Sequence, residues 1–282
     1  MARNDDSKST LWDVWREGTR RLEREGVEEA AADAELLLLH LLGKSKAELL
    51  RDFRDPWPGG ELDALWEAYL ARRAAGEPVQ YVTGEQYFYG RRFGVSPAVL
   101  IPRPETELLA EAVLKAGDEL WPPGEKAAPR VLDVGTGSGA LAVTLAAERP
   151  AWRVMASDLS ADALEVASRN AELHGVSDRI QFVQGSFLEP FFEGPPIDIL
   201  VSNPPYIVKA DLANLQREVR DYEPHLALDG GEDGLDPYRI MAKQLSRLPA
   251  VPRIAAFEVG AGQADSVADL LRSAADWSGI RM

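Results

Sequence analysis

The architecture of the chain follows from RVLDVGTGSGA, residues 130–140. The run before the first glycine is largely apolar and predicts a buried strand. Glycines follow at positions 135, 137 and 139, where missing side chains let a ligand approach the backbone closely. The residues near 139–148 predict a helix. A strand, a glycine-rich turn and a helix in this order indicate the first unit of a ligand-binding parallel sheet.

Strand and helix patterns alternate from this turn onward. Further strands are predicted at 152–158, 180–185, 197–202 and 253–260, with helices at 161–175, at 236–247 and from about 263. Short apolar strands that alternate with amphipathic helices indicate a parallel sheet covered on both faces. Ligands of such sheets bind beyond the carboxyl ends of the strands, so residues that follow strands are the candidate site residues.

The chain before about residue 80 has a different pattern. Apolar residues recur at positions 27, 31, 34, 38 and 41, which predicts a helix, and no strand pattern occurs there. Residues 79–101 are aromatic, β-branched and interrupted by glycine, which predicts a hairpin. We therefore expect a helical domain over residues 1–78, and a hairpin linker plus an α/β domain over residues 79–282.

Composition excludes several kinds of site and partner. The 282 residues include no cysteine, which excludes disulfides, and the three histidines lie too far apart in sequence to suggest a zinc cluster. The net charge of −15 disfavours non-specific binding to nucleic acid and favours a basic partner. The polar start, MARNDDSKST, lacks the apolar core of a signal peptide, and no apolar stretch approaches the ~20 residues that cross a bilayer. We expect a cytoplasmic monomer that contacts neither nucleic acid nor membrane and uses no metal.

The glycine turn and the next strand together predict a cofactor that contains a nucleoside. Asp158 ends that strand, and a carboxylate there can accept hydrogen bonds from both hydroxyls of a ribose. Gly135, Gly137 and Ala140 fit the dinucleotide pattern G-x-G-x-x-G/A only loosely. Phe187, just after the third strand of the sheet, is placed either to stack on an adenine or to pack in the core.

The full DVGTGSG, residues 133–139, is more specific because an acidic residue ends the strand before the glycines. It resembles the first motif of the S-adenosylmethionine-dependent methyltransferases with a Rossmann-like fold. The resemblance implies a cofactor with a sulfonium group and an amino-acid tail. Asp133 then either holds the ammonium of that tail or orders the loop.

SNPPYIVK, residues 202–209, follows the fourth predicted strand of the sheet and is therefore expected beside the cofactor site. Asn203 offers a carbonyl acceptor and an NH2 donor, whereas Pro204 and Pro205 offer carbonyls without N–H groups. Tyr206 can lie flat against a planar group. This edge suits a substrate NH2 that donates one hydrogen bond to Asn203 and one to the Pro204 carbonyl.

An acceptor-rich edge of this kind serves a weak nucleophile. The lone pair of an amide or aromatic amine nitrogen is delocalised, so the nitrogen attacks poorly. Two acceptors can aim that nitrogen at the sulfonium methyl group and stabilise the positive charge that develops. We expect an in-line methyl transfer, with Asn203, Pro204 and Tyr206 as the catalytic residues.

NPPY together with DVGTGSG resembles the amino-methyltransferases, which include DNA adenine-N6 and protein glutamine-N5 enzymes. Longer stretches resemble the HemK-type peptide chain release factor glutamine methyltransferases. They are GEPVQYVTGEQYFYGRRFGVSPAVLIPRPETELL (76–109), SNPPYI (202–207), EPHLALDGGEDGLDPYR (223–239) and FEVGAGQ (257–263). The resemblance covers nearly the whole chain, including the helical N-terminal part.

The resemblance implies methylation of the glutamine amide in the Gly-Gly-Gln motif of bacterial class-one release factors, with S-adenosylhomocysteine as product. By position, it implies cofactor contacts from Asp133, Gly135, Thr136, Gly137, Ser138, Gly139, Asp158, Phe187 and Asn203. It implies that the substrate glutamine is held by Asn203, Pro204, Pro205 and Tyr206. It also implies that the N-terminal helical domain binds the release factor.

Two features depart from the pattern of that family. Ser186 stands where members often have an acidic residue, so a polar contact near the adenine is expected to differ here. The chain stops at ADWSGIRM, residues 275–282, before the closing strands of the usual sheet, which leaves the last strand pairing open.

Other functions remain open on the sequence alone. A glutamine methyltransferase of a ribosomal protein would use the same pocket, although IPRPETE and the short helical part favour release factors. A DNA adenine methyltransferase predicts clustered Lys and Arg, which a chain of pI about 4.7 does not show. An NAD-dependent oxidoreductase leaves NPPY unexplained, and a non-catalytic binding module leaves the acceptor edge without a use.

Overall fold

The computed structural model describes residues 9–124 and 127–282, which form two compact units. The first unit comprises the described residues up to Gly84 together with the segment Arg217–Tyr222, and the second comprises the rest. The predicted division after residue 78 lies a few residues before Gly84, and the inclusion of Arg217–Tyr222 was not predicted. The start of the chain at residues 1–8, on which the absence of a signal peptide was predicted, lies outside the described residues.

The secondary structure, numbered in chain order, is as follows. The helices are α1 (Leu11–Arg24), α2 (Ala30–Leu42), α3 (Lys46–Asp52), α4 (Glu61–Ala74), α5 (Val79–Thr83), α6 (Pro104–Leu120), α7 (Ala140–Glu148), α8 (Ala161–Leu173), α9 (Arg217–Tyr222), α10 (Asp236–Leu245) and α11 (Ala264–Ala274). The strands are β1 (Glu85–Phe88), β2 (Arg91–Gly94), β3 (Arg130–Val134), β4 (Arg153–Asp158), β5 (Ile180–Gln184), β6 (Ile199–Ser202) and β7 (Ile254–Phe257).

The first unit is helical, as the sequence predicted. Its core is formed by apolar side chains of α1 to α5, of which Leu22, Leu37 and Leu38 are fully buried. Helix α2 ends at Gly43, whose left-handed φ of 61° suits a helix C-terminus. The predicted apolar stripe is only partly buried, since Ala31 is exposed. On that turn the buried residue is Ala30, one position earlier.

A buried arginine holds the segment Arg217–Tyr222 in the first unit. Arg73 is 4% exposed, and its Nε donates to Asp33 at 2.6 Å while its Nη2 donates to Glu218 at 3.1 Å. Burial raises the pKa of Asp33, and the hydrogen bond from Arg73 opposes this rise. Loss of Arg73 would leave the buried carboxylate of Asp33 unpaired. It would also remove one contact of this segment, which is held in addition by the Tyr222 hydroxyl, a donor to the Ala75 carbonyl at 3.1 Å.

The hairpin in the structure is shorter than the one predicted over residues 79–101. Val79–Thr83 form α5, and only β1 and β2 pair, antiparallel, with Phe88 opposite Arg91. Asn170 of α8 holds β2 at Gly94, from which it accepts a backbone N–H at 2.7 Å and to which it donates at 2.9 Å. The same side-chain NH2 donates to the Ser138 carbonyl in the glycine turn at 2.8 Å. The hairpin and the glycine turn are therefore positioned by one buried asparagine.

The second unit is built on a five-stranded parallel sheet in the order β5-β4-β3-β6-β7. The chain runs outward from β3 through β4 to β5 and then returns to place β6 on the other side of β3. The strand order therefore reverses between β3 and β6, and ligands of such sheets bind where it reverses. The glycine turn after β3 and the Asn203 segment after β6 leave the sheet side by side, since Val134 pairs with Ser202.

The central strands of this sheet are buried, whereas the edge strands β5 and β7 are largely half-buried. Side chains of β3 and β6, including Val131, Leu132, Ile199 and Leu200, are fully buried between the helices. Residues 275–282, the last of the given sequence, form neither helix nor strand. The pairing of any closing strand therefore stays a prediction. Within the described ranges, no helix is both long and apolar enough to cross a membrane.

Candidate active site

A cavity of about 880 Å³ opens at the carboxyl ends of β3, β4 and β6. Predicted site residues that line it are Gly135, Thr136, Gly137, Ser138, Asp158, Phe187, Asn203 and Pro205. Four other predicted site residues do not line it, although each is next in sequence to a residue that does: Asp133, Gly139, Pro204 and Tyr206. One cavity thus brings together the glycine turn and the NPPY segment, which lie far apart in sequence.

The glycines of the turn have two different roles. Gly135 and Gly137 have left-handed φ angles of 71° and 54°, and a Cβ at either position would meet no atom within 4 Å. The turn therefore leaves open space beside the backbone on the cavity side. Gly139 also has a positive φ, but its Cβ would lie 3.0 Å from that of Ala167. Its place in the fold is explained by the close packing of α7 on α8.

Asp133 orders the glycine turn through hydrogen bonds. Its Oδ2 accepts the hydroxyl of Thr136 at 2.6 Å and the backbone N–H of Ala142 at 3.1 Å. Its Oδ1 is buried and has no hydrogen-bond partner among the residues that the structure describes. Burial raises the pKa of Asp133 to about 7, against the two hydrogen bonds, which lower it. Of the two predicted roles for Asp133, these contacts favour the ordering of the loop.

The raised pKa of Asp133 makes a prediction about stability and pH. Between pH 4 and pH 7 the folded state holds a proton that the unfolded chain releases, so this group loses stabilising effect as pH rises. Asp133→Asn imitates the protonated form and removes this dependence. We expect the unfolding free energy of the variant relative to the parent to increase from pH 4 to pH 7, on the order of 4 kcal/mol in all. Urea unfolding across that range measures it, and a constant difference would contradict the assigned burial effect.

Asp158 stands at the end of β4 with its carboxylate on the cavity. Its Oδ2 accepts the N–H of Gly137 and its Oδ1 accepts the N–H of Ser160, each at 2.9 Å. Burial raises the pKa of Asp158, and these backbone donors oppose the rise. A carboxylate oxygen accepts more than one hydrogen bond, so both oxygens retain capacity for donors of a ligand.

Phe187 lies on the cavity wall in a strained backbone conformation. Its φ of 48° lies in the left-handed region, which a phenylalanine rarely adopts. The following N–H, of Leu188, donates to the Gln244 side chain at 2.9 Å and anchors this turn after β5. Phe187 is half-buried, packs against the core of the sheet and also lines the cavity. Strain that persists beside a cavity is commonly found at ligand sites.

Asn203 follows β6 directly and reaches the cavity from the opposite side. Its Nδ2 donates to the hydroxyl of Thr106 at 3.0 Å, and that hydroxyl donates to Glu258 at 2.6 Å. Tyr206 donates its hydroxyl to the other carboxylate oxygen of Glu258 at 3.2 Å. Burial, reinforced by Glu258, raises the pKa of Tyr206 to about 12, so the phenol remains protonated at neutral pH.

Glycines enclose the backbone of Tyr206. A Cβ on Gly230 would lie 2.8 Å from the Tyr206 Cα, and one on Gly234 would lie 2.4 Å from the Tyr206 carbonyl oxygen. Gln263 donates to the same carbonyl at 3.0 Å. The stretches EPHLALDGGEDGLDPYR and FEVGAGQ therefore form a close-fitting frame around Tyr206 of NPPY.

Two glycine substitutions test this frame. Gly234 and Gly175 both have left-handed φ angles, 76° and 65°, so an alanine at either position costs about 1–2 kcal/mol in backbone strain. A Cβ at Gly175 meets nothing within 4 Å, whereas at Gly234 it overlaps Tyr206 and Gln263. We expect Gly234→Ala to lower the unfolding free energy by about 1–3 kcal/mol more than Gly175→Ala. Equal losses in urea unfolding would contradict the frame.

Two family models match separate parts of the chain. A model of the PrmC N-terminal domain matches residues 13–84, and a model of the methyltransferase small domain matches residues 106–231. A release factor glutamine methyltransferase of Chlorobaculum tepidum is 46% identical over 252 residues, which cover 88% of this chain and 84% of the relative. The chain belongs to the release factor glutamine methyltransferase family.

Other members of the family are similar over comparable lengths. That of Moorella thermoacetica is 43% identical, and the alignment covers 94% of this chain and 90% of the relative. Among solved structures, the hMettl16 catalytic domain in complex with MAT2A 3′UTR hairpin 1 is 17% identical, with a TM-score of 0.51 over 73% of this chain and 72% of that one. These findings confirm the predicted family and the predicted fold class, a Rossmann-like methyltransferase domain preceded by a small helical domain and a hairpin.

The two side chains that link Asn203 to Tyr206 were not predicted as site residues. Thr106 and Glu258 connect Asn203 to Tyr206, yet in the sequence they stand out only as parts of IPRPETE and FEVGAGQ. Glu258 follows β7 as Asn203 follows β6, so its position after a strand was a signal that could have identified it. Thr106 carries no such signal, because it lies in the first turn of a helix.

Proposed function

We propose that this chain transfers the methyl group of S-adenosylmethionine to the side-chain amide nitrogen, N5, of the glutamine in the Gly-Gly-Gln motif of bacterial class-one release factors. The observation that carries the proposal is that Asn203 and Pro205 line the same cavity as the glycine turn of β3. The predicted enzyme class, a protein-glutamine methyltransferase, is confirmed by membership of the family.

The cavity fits S-adenosylmethionine. Gly135 and Gly137 leave the backbone of the turn open to a ligand, and the volume of about 880 Å³ is that of a nucleoside-sized site or larger. Asp158 retains acceptor capacity for the two hydroxyls of a ribose, and Phe187 offers an aromatic face to an adenine. We propose these contacts for the cofactor, with Thr136 and Ser138 beside it and with Asp133 and Gly139 shaping the loop.

The NPPY segment accounts for the choice of an amide nitrogen. When bound, the cofactor supplies an electrophilic methyl group. Asn203 Oδ1 and the Pro204 carbonyl accept the two N–H groups of the substrate amide and hold its nitrogen in line with that methyl group. Both acceptors also stabilise the positive charge that develops on nitrogen. Tyr206 and Pro205 flank the planar amide, which carries no charge and needs no charged partner.

The partner of the reaction is proposed to bind through the helical unit. This unit matches the PrmC N-terminal domain, and its relatives are named for their action on release factors. A net charge of −15 suits a basic protein as partner and disfavours direct contact with nucleic acid. A cytoplasmic monomer remains the expectation for the enzyme.

A transfer assay with labelled cofactor tests the proposed function. Purified protein and S-adenosylmethionine with a radioactive methyl group are incubated separately with a class-one release factor, ribosomal proteins and duplex DNA. We expect label on the release factor alone. Label on a ribosomal protein or on DNA, with none on the release factor, would overturn the proposed substrate.

A further inference from the structure

Asn203, Thr106 and Glu258 form a continuous chain of hydrogen bonds. Ser202 of β6 pairs with Phe257 of β7, so the next residues, Asn203 and Glu258, leave the sheet side by side. Thr106 lies between them, with its Oγ1 2.6 Å from Glu258 Oε2 and 3.0 Å from Asn203 Nδ2. Thr106 lines the cavity but is only 5% exposed, and its hydroxyl is engaged by both neighbours.

The direction of each hydrogen bond in this series follows from the carboxylate of Glu258 at its end. A carboxylate only accepts, so the single hydroxyl hydrogen of Thr106 is committed to Glu258. The Thr106 oxygen is then left with acceptor capacity alone. Asn203 must therefore present its NH2 group to Thr106, because its carbonyl oxygen would face a second acceptor.

This direction determines what Asn203 offers to a substrate. With Nδ2 held by Thr106, the remaining polar atom of the side chain is Oδ1, and no donor among the described residues reaches it. An acceptor at this place pairs with the NH2 of a glutamine. A reversed Asn203 would present NH2 instead and would pair with a carboxylate oxygen, which a glutamate supplies.

Glu258 is itself held from several sides. Its Oε1 accepts the Tyr206 hydroxyl at 3.2 Å, its carbonyl accepts the Tyr238 hydroxyl at 2.7 Å, and its backbone N–H donates to Ser202 at 3.0 Å. The carboxylate therefore has little freedom to turn away from Thr106. One acidic residue thus fixes both Asn203 and Tyr206.

We infer that Thr106 and Glu258 are positioning residues that set the side-chain orientation of Asn203 and thereby the preference of the site for glutamine over glutamate. This inference rests on the proposed function. Neither residue touches the reacting atoms, and both act through Asn203. The preference follows from hydrogen-bond polarity, because glutamine and glutamate have nearly the same shape.

A binding experiment separates this role from a purely structural one. Calorimetry with S-adenosylhomocysteine present gives the affinities for a release factor and for the same factor with glutamate in place of the Gly-Gly-Gln glutamine. The protein is compared with Thr106→Val, which keeps the shape but removes the hydroxyl, and with Thr106→Ser, which keeps the hydroxyl. Glu258→Gln serves as a further variant, because its amide can donate to Thr106 and release the hydroxyl hydrogen.

The expected result is a loss of preference without a loss of fold. The ratio of glutamine to glutamate affinity falls about tenfold or more in Thr106→Val, falls less in Glu258→Gln and is retained in Thr106→Ser. A parent-like ratio in Thr106→Val, or an equal fall in Thr106→Ser, would overturn the inference and leave the proposed function intact. A parent that binds neither form of the release factor would overturn the proposed substrate and this inference with it.

Discussion

Asn203→Ala is expected to reduce the rate of methyl transfer by about 10²-fold or more while cofactor binding stays close to that of the parent. The reason is that Asn203 supplies one of two acceptors that align the substrate amide, and alignment is the main contribution expected for a nitrogen with a delocalised lone pair. The alanine also removes the N–H that Asn203 donates to the Thr106 hydroxyl, but that hydroxyl keeps its own hydrogen bond to Glu258. Single-turnover transfer to a release factor, with calorimetry for S-adenosylhomocysteine, measures the two effects separately.

The matched control for this variant is Asn214→Ala. Asn214 is an exposed asparagine at the end of a short 3-10 helix, away from the described hydrogen bonds of the site. Its replacement should leave both transfer and cofactor binding unchanged. If Asn203→Ala weakened cofactor binding and transfer to the same extent, Asn203 would have a structural role in the cavity and the proposed alignment would be wrong.

Asp158→Ala is expected to have the second large effect, which falls on cofactor affinity. The variant removes a carboxylate that faces the cavity and that is proposed to accept both ribose hydroxyls. Hydrogen bonds to a charged acceptor contribute about 1.5–3 kcal/mol each, so the dissociation constant for S-adenosylhomocysteine should rise about 10²-fold or more. The variant also removes the acceptors of Gly137 and Ser160, which adds some loss of order in the turn.

Asp162→Ala controls for the loss of a negative charge near the cavity. Asp162 also lines the cavity, but it lies in the exposed first turn of α8. We expect its replacement to change the dissociation constant far less than Asp158→Ala does. Circular dichroism and urea unfolding confirm that both variants are folded. Similar affinities for the two variants would contradict the proposed ribose contact.

The sheet and the two halves of the site were predictable from the sequence because their signals are local. Each strand of the sheet is a short apolar run, and the glycine turn and SNPPY come directly after such runs. Residues that follow parallel strands meet at one edge, so the order of strands and turns along the chain was enough to predict that Gly135 and Asn203 share one cavity.

The rest of the site depends on relations that no local pattern contains. The link from Asn203 through Thr106 to Glu258 requires that β6 pair with β7. No local sequence pattern predicts that pairing. Val79–Thr83 form a helix although their β-branched and aromatic residues favour a strand, since packing in the first unit decides their conformation. The inclusion of Arg217–Tyr222 in the first unit depends on contacts with residues far away in sequence, among them Glu218 with Arg73 and the Tyr222 hydroxyl with the Ala75 carbonyl.

Tandem mass spectrometry of a class-one release factor, after incubation with this protein and S-adenosylmethionine, tests the central claim most directly. The proposed function predicts one added methyl group on the side-chain amide of the Gly-Gly-Gln glutamine, and no such group after incubation with Asn203→Ala. A release factor that stays unmodified although the cofactor is shown to bind, or one that carries the methyl group on another residue, would contradict it.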